Sequence, residues 1–497
     1  MAWFSKLTRP KETLPQHPTR PIFLHNTLGG LQETFTPPEA RAIRMYNCGP
    51  TVYGPSHIGN LRAYIFPDLL RRMLEYNNLA VKQVVNITDV GHLASDADTS
   101  EDKMTKGMLR EGMEVSIANM HILAEKYAEE FIADLQKVGI DTENITFPRA
   151  SAYIDSQIAI IKTLEEKGYT YQTSDGVYYD TARFPDYGKL GNIHIEGQKE
   201  GARVEANPEK RNPADFNLWK KDEKMGWKSP WGQGFPGWHI ECSAMARSCL
   251  GEQLDIHTGG VDLMPTHHNN EIAQSEAATG KKPFSRFWMY NEFLNIENEK
   301  ISKSIGNVIT LAELPGRGFH PLALRYYYLT ARYSTPLNFS WESLQAAQSA
   351  LLRLHFLYNQ LPEEASAAAD EEYQRTFHER INEDLDTPGA IAIMWQMLKD
   401  EKMTPASLRA TLTDFDQVLG LTLGKGDETL QALIRAEFGE VIENDKLPEN
   451  IRAEVIERDA ARIAKDWTKA DVLREDIQKQ GYAIEDTPAG GKILKRS

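Results

Sequence analysis

Residues 46–61 read Tyr-Asn-Cys-Gly-Pro-Thr-Val-Tyr-Gly-Pro-Ser-His-Ile-Gly-Asn-Leu, and they constrain the fold more than any other stretch. Two Gly-Pro pairs, Gly49-Pro50 and Gly54-Pro55, force a tight and rigid loop. Ahead of it, Ala42 to Asn47 reads as a strand. Beyond it, Ile58, Leu61, Ile65, Leu69 and Met73 recur at helical spacing. Pro67 falls inside that run and leaves room for a kink or a break. A strand, a Gly-rich turn and a helix N-terminus in succession form a place where free N–H groups and the helix dipole attract phosphate. His57 enters where an anion would lie, and Cys48 sits at the end of the strand.

At 497 residues the chain is long enough for about three domains, each burying its own core. A net charge of −15 argues against non-specific nucleic-acid binding, so no DNA partner is expected. It does not exclude an RNA held by local basic patches, because salt screens distant charges. The first twenty residues lack an apolar stretch of signal-peptide length, so neither a secretory signal nor a membrane span is expected. Three cysteines (Cys48, Cys242, Cys249) are too few for a disulfide framework, which points to a reducing, cytoplasmic setting.

Read in order, 1–20 is an extension and 21–139 the first half of an α/β unit, with a second strand at Val81 to Ile87. An acidic loop at Ser95 to Asp102 precedes a helix from Val115 to Leu135. Residues 140–235 read as an insertion between two halves of one sheet, with a strand at Gly176 to Asp180. The α/β pattern resumes over 236–340, with strands near Leu254 to His257 and Phe287 to Tyr290. Over 341–445 the periodicity is helical: Leu344, Leu351, Leu354 and Leu357 make a stripe, Thr387-Pro388 and Thr404-Pro405 each read as an N-cap followed by Pro, and Gly420 reads as a stop. The last part, 446–497, carries one long charged helix, Ile451 to Gln480, and a short extended tail.

Three constellations carry chemistry. His267 and Glu271 are four apart and share a face if helical; with Cys48 and Cys242 they make a Cys₂-His-Glu set suited to zinc. Spacing alone leaves a second reading open, with the cysteines as buried hydrophobes and His267 a capped surface histidine. Cys249 is assigned to the core, and His268 points off the shared face. Second, Glu299 to Asn307 alternates cations with hydroxyls, so Lys300 and Lys303 beside Ser302 and Ser304 could clamp a triphosphate; taken alone the stretch also reads as an ordinary surface turn. Third, Trp238 could wall a small pocket and Asp262 hold an ammonium, or Trp238 could be plain core.

In this order the segments resemble the cysteinyl-tRNA synthetases, a family of class I aminoacyl-tRNA synthetases. The resemblance rests on residues 46–53, His57-Ile58-Gly59-Asn60, Asn86-Ile87-Thr88-Asp89, residues 237–245, His257-Thr258-Gly259-Gly260-Val261-Asp262, residues 267–271 and Lys300-Ile301-Ser302-Lys303-Ser304, and extends from about residue 21 to the C-terminus. It implies an α/β fold: a Rossmann-like parallel-sheet catalytic core with a connective insertion, then a helical tRNA-binding domain (341–445) and a small anticodon-binding domain (446–497), the stem-contact region lying within 236–340. It also implies one Zn2+ on Cys48, Cys242, His267 and Glu271 that binds the substrate thiolate. His57, Asn60, Lys300 and Lys303 match catalytic positions, and these four with Ser302 and Ser304 match ATP-binding positions. Gly49, Thr88, Trp238, His257 and Asp262 match positions around the amino acid. The implied partners are ATP with Mg2+, L-cysteine and tRNA(Cys).

The sequence departs from the family at four points: Asn60 stands where class I enzymes usually have His, Ile301 replaces Met, Val90-Gly91-His92 replaces Asp-Asp-Lys, and Asn269 replaces Glu. Asn can still donate to phosphate. Two rivals differ in kind. A ligase joining cysteine to an amino sugar would share the catalytic half but lack the long helical end after Trp341. A non-catalytic RNA-binding paralogue could dispense with His57 and Lys303, and both are present.

Overall fold

A computed structural model describes residues 17, 20–91, 103–192, 207–296, 299–300, 308–364, 366–488 and 490–495. The expected acidic loop at 95–102 lies outside them, as do Ser302, Lys303 and Ser304; of Lys300 only the backbone is described.

The centre is a five-stranded sheet in the order Ser285–Asn291, Leu254–Gly260, Ile43–Asn47, Val81–Val85, Ile145–Thr146, every pairing parallel. Parallel strands covered on both faces are buried along their length, as Ile43–Asn47 is apart from half-buried Arg44. In chain order the strands run 5-4-1-2-3 across the sheet, so the order reverses between Ile43–Asn47 and Leu254–Gly260. In open α/β sheets a ligand crevice opens beyond the carboxyl ends of the strands at such a reversal. Cys48 and Gly259 emerge at that point, and the Cys48 N–H donates to the Thr258 carbonyl at 3.1 Å.

The helix after the Gly-Pro loop runs from Ile58 to Tyr76 without a break, with Pro67 inside it. Pro67 deletes one backbone donor, but both its neighbours and most of the helix are buried, and that packing outweighs the local defect. Residues 170–236 add a separate antiparallel sheet, Thr170–Gln172, Gly176–Tyr179, Phe216–Lys221 and Gly234–Pro236.

The later part is helical. Trp341–Gln360 is capped by Ser340 and Ser343, and Leu344, Leu351, Leu354 and Leu357 are all buried. Thr404 caps Pro405–Leu419, which stops at left-handed Gly420. Thr387 is not a cap: the Asp386 carboxylate accepts from the Gly389 N–H, placing Thr387 one position inside the helix. A carboxylate suits the positive helix end at least as well as a hydroxyl. The expected long terminal helix is two, Glu449–Ile463 and Trp467–Lys479, broken where Lys465 takes φ 59° and Asp466 caps the second. The tail is a hairpin, Tyr482–Thr487 with Gly490–Lys495, joined by Glu440–Ile442. Among the described residues no helix is long and apolar enough to cross a membrane.

Candidate functional site

The crossing of two strand ends builds the first wall. The Gly49 N–H donates to Asn86 Oδ1 at 2.8 Å, the Thr88 N–H to the Pro50 carbonyl at 3.0 Å and the Val52 N–H to the Thr88 carbonyl at 3.1 Å. A Cβ on Gly49 would lie 1.6 Å from the Asn86 carbonyl oxygen, so only glycine lets these backbones approach. The loop then delivers His57 as N-cap: its Nδ1 accepts from the Asn60 N–H, and Asn60 Oδ1 accepts from the His57 N–H. This reciprocal arrangement uses the oxygen of Asn60 and leaves its NH₂ to donate.

The helix Trp238–Leu250 carries Cys242, and Asn269–Thr279 carries Glu271. Between them Met264–His268 forms a π-helical turn, a device that often marks functional sites. The outcome is a cluster in which Cys48, Cys242, His267 and Glu271 each offer a donor atom, all within 4.8 Å of one another. His267 Nε2 is 3.0 Å from Glu271 Oε1, and Cys48 Sγ is 3.7 Å from the same oxygen. Ligands at about 2.0–2.3 Å around a tetrahedral zinc stand at comparable separations from one another. The donor set therefore fits a metal ion.

Neighbours hold these donors in place. Glu271 Oε2 meets His257 Nε2 at 3.1 Å, which leaves Oε1 facing the cluster. His239 Nδ1 lies 2.9 Å from His267 Nδ1, so His267 presents Nε2 inward. His268 does not point away as its spacing suggested. Its Nε2 is 3.2 Å from Cys48 Sγ and its Nδ1 is 2.7 Å from the Tyr290 hydroxyl. The wider π-turn rotates successive residues less than an α-helix does, so His267 and His268 both face the cluster. With Cys48, His257 and Glu271, His268 completes a second donor group of the same kind.

The electrostatics match a site that wants a cation. Burial, and then the neighbouring Cys242, push the Cys48 thiol up, while the hydrogen bond from Cys48 and the charge of His267 bring Cys242 down to about 6 despite its burial. The two thiols are thereby coupled, and a proton on one favours the thiolate of the other. Burial opposes protonation of His267, but Cys242 and Glu271 outweigh it and push the imidazole up to about 10. Burial likewise opposes ionisation of Glu271, and His257 and His267 nevertheless hold it well below the usual carboxylate range. Glu241 goes the other way: burial and the Cys242 charge raise it well above its ordinary value.

A cavity of about 420 Å³ opens against this cluster, lined by Cys48, Gly49, His57, Asn60, Trp238 and Asp262 among others. The Trp238 ring lies 4.4 Å from that of His267, so Trp238 walls the pocket. Thr88 and His257 do not line it. Thr88 is buried and donates to Glu241 at 3.0 Å, and His257 is spent on Glu271, so both stand behind the wall. Cys249 is only half-buried, with its sulfur 3.4 Å from the Tyr153 hydroxyl, because it lies near the end of its helix. Three neighbours of the cluster, His239, Glu241 and Tyr290, and one residue of the cavity lining, Lys103, have no role in the sequence reading. His239 precedes Cys242 by three positions, so helical spacing alone could have placed it on the same face.

Comparison with known proteins agrees with this geometry. The model of the tRNA synthetases class I (C) catalytic domain matches residues 34–349. Cysteine–tRNA ligase 1 of Burkholderia lata is 45% identical over 480 residues, covering 95% of this chain and 97% of its own length. The cysteine–tRNA ligase of Treponema denticola is 37% identical over 495 residues, covering 93% and 97%. In fold, the chain is similar to methionyl-tRNA synthetase of Mycobacterium tuberculosis in complex with methionyl-adenylate, with a TM-score of 0.52 at 14% identity, over 80% of this chain and 94% of that one. The chain belongs to the cysteine–tRNA ligase family, within the class I aminoacyl-tRNA synthetases.

Proposed function

We propose that this chain uses ATP to activate L-cysteine as cysteinyl-adenylate and then passes the cysteinyl group to tRNA(Cys). The observation that carries the reading is that Cys48 brings a four-donor cluster to the wall of the cavity that His57, Asn60 and Asp262 also line. Two thiols, an imidazole and a carboxylate suit zinc, and these four residues would hold one Zn2+. When bound, that ion supplies a soft Lewis acid to which a substrate thiolate binds well and a serine hydroxyl poorly. Selection would then rest on chemistry, since an apolar pocket separates such small differences by only about 1–3 kcal/mol.

The chain's own residues would do the positioning. Asp262 takes the substrate ammonium and Trp238 closes the side of the pocket. The first N–H groups of Ile58–Tyr76, together with His57 and the Asn60 amide, receive the ATP phosphates, with Mg2+ accompanying the nucleotide. Thr88 and His257 act from behind the wall, through Glu241 and Glu271. Lys300, Ser302, Lys303 and Ser304 would stabilise the leaving pyrophosphate. Loss of one such donor, Lys303, would cost about 10²–10³ in rate. A cysteine carboxylate oxygen then attacks the α-phosphorus as pyrophosphate departs, and the terminal ribose hydroxyl of the tRNA later displaces AMP. Side chains need contribute little covalent chemistry, because orientation carries most of the rate. Residues 341–445 would contact the tRNA body and 446–497 the anticodon.

The test is cysteine-dependent ATP–pyrophosphate exchange on the purified chain, with its zinc content measured alongside and a tRNA(Cys) charging assay. Exchange that responds to serine as strongly as to cysteine, or a chain without zinc that still selects cysteine, would overturn the reading.

A further inference from the structure

Among the described residues lining the central cavity, Lys103 is the one lysine or arginine, whereas Asp262 and Glu292 on the same wall are acidic. Lys103 opens the helix Lys103–Arg110, which is seated by buried Met104, Gly107 and Met108. That helix docks directly on the Gly-Pro loop. A Cβ on Gly107 would come within 2.7 Å of the Tyr53 carbonyl oxygen, and Arg110 Nη2 donates to that oxygen at 2.7 Å. The Lys103 ammonium is thereby carried by a fixed element. Among the described residues its contact is an aromatic face, 5.6 Å from the Trp238 ring centroid.

Trp238 in turn lies against His267. An amino acid whose sulfur is gripped at the Cys48 and His267 cluster has its carboxylate oxygens four bonds away, about 4–5 Å along the chain. Lys103 and Trp238 line the same cavity as Cys48, so an anionic end reaching from the cluster along Trp238 would meet the Lys103 ammonium. Both reactants in the first step are anions there, the carboxylate and the α-phosphate, and like charge opposes their approach.

We infer that Lys103 binds the anionic oxygens at the junction of amino acid and nucleotide, the carboxylate of cysteine or the α-phosphate of ATP. This rests on the function proposed above. Lys103 is then a substrate-binding residue that offsets like charge where the acyl–phosphate bond forms.

The experiment compares the full chain with Lys103→Met and Lys103→Arg in cysteine-dependent pyrophosphate exchange. Lys103→Met is expected to lose between about tenfold and a hundredfold in kcat/KM, the worth of a hydrogen bond to a charged group, with Lys103→Arg recovering most of it. Cysteamine, which has the thiol and ammonium but no carboxylate, serves as a competitive inhibitor of each variant. Its inhibition constant is expected to stay the same in all three. Calorimetric titration with cysteine alone separates the two sources: weaker binding in Lys103→Met assigns the carboxylate, whereas unchanged binding with a raised KM for ATP assigns the α-phosphate. Exchange by Lys103→Met equal to that of the parent would overturn the inference, and so would a loss of cysteamine affinity matching the loss for cysteine, which indicates a disturbed pocket. A parent chain that shows no exchange at all overturns the underlying function as well, and that outcome is visible before any variant is made.

Discussion

Two buried polar clusters in this molecule are built in opposite ways. Around Asp68, on the helix Ile58–Tyr76, three guanidinium groups converge: Arg71 at 2.9 Å and Arg72 at 2.8 Å from the same helix, and Arg325 at 2.7 Å from the helix Pro321–Leu329. Arg325 and Arg72 also donate to backbone carbonyls at or just beyond helix ends, Arg325 to Leu419 and Val138, and Arg72 to Gln417 and Gly139. Helix C-termini are the negative ends of their dipoles, so these cations are doubly satisfied. Around Glu271 the neighbours are thiols and imidazoles, and among the described residues no lysine or arginine pairs with it. One cluster carries its own compensating charge, which makes it a structural joint. The other is compensated by imidazoles, which can give up their protons and hand that role to a metal ion.

The contrast is most severely tested by Cys242→Ser. Folding energy at structural zinc sites runs to about 10–16 kcal/mol of binding, and a hydroxyl is a poor substitute for a thiolate. The variant is expected to lose its metal as isolated and at least about a hundredfold in exchange at low cysteine, while still folding around the Asp68 joint. Metal analysis and circular dichroism check this together; retained metal with full activity would break the comparison.

Next in size is Asp68→Ala, which leaves Arg325 buried without its partner and is expected to cost about 3–5 kcal/mol in denaturant unfolding, with metal content unchanged. The pH dependence follows from the same residue. Burial opposes its ionisation, but Arg72, Arg325 and Arg71 hold the Asp68 carboxyl well below its ordinary value. A carboxyl depressed in the folded state contributes its full stability above the unfolded value, about 3.9, and that contribution is lost as pH falls through the lower folded value. Unfolding free energy measured from pH 6 downward should therefore fall more gently in Asp68→Asn than in the parent. An identical acid slope would show that the joint is not electrostatic.

What the sequence disclosed divides along physical lines. Local patterns were legible: the strand Ile43–Asn47, the cap at Thr404 and the stop at Gly420 depend on neighbours only a few residues away. So was the set Cys48, Cys242, His267 and Glu271, whose chemistry is unusual enough to stand out across a long separation, although its convergence needed the fold. Readings failed where one residue's backbone state decided the outcome. Lys465 in the left-handed region splits a helix whose charged periodicity continues on both sides. The π-turn at Met264–His268 re-aims His268, and no composition signal announces a change from i+4 to i+5 bonding. At Pro67 the local breaker did not end the helix, because tertiary burial overrode it. Lys103 stayed hidden because its place at the cavity depends on where its helix docks and not on what surrounds it in the chain.

The finest test concerns residues that touch no substrate in either cluster's description. His257 and His239 each spend a ring nitrogen on a donor of the Glu271 cluster, fixing which carboxylate oxygen and which imidazole nitrogen face inward. If that cluster is organised for a ligand, loosening its donors should weaken metal binding by about 10–100-fold without a comparable loss of stability. His257→Ala and His239→Ala are therefore expected to release zinc to a chelator at lower concentration, with unfolding midpoints of the metal-free chains close to the parent's. The outcome that sinks the contrast is the opposite pattern, unchanged chelator sensitivity with a large fall in stability. That would make these histidines packing residues, and the Glu271 cluster a second structural joint like the one around Asp68.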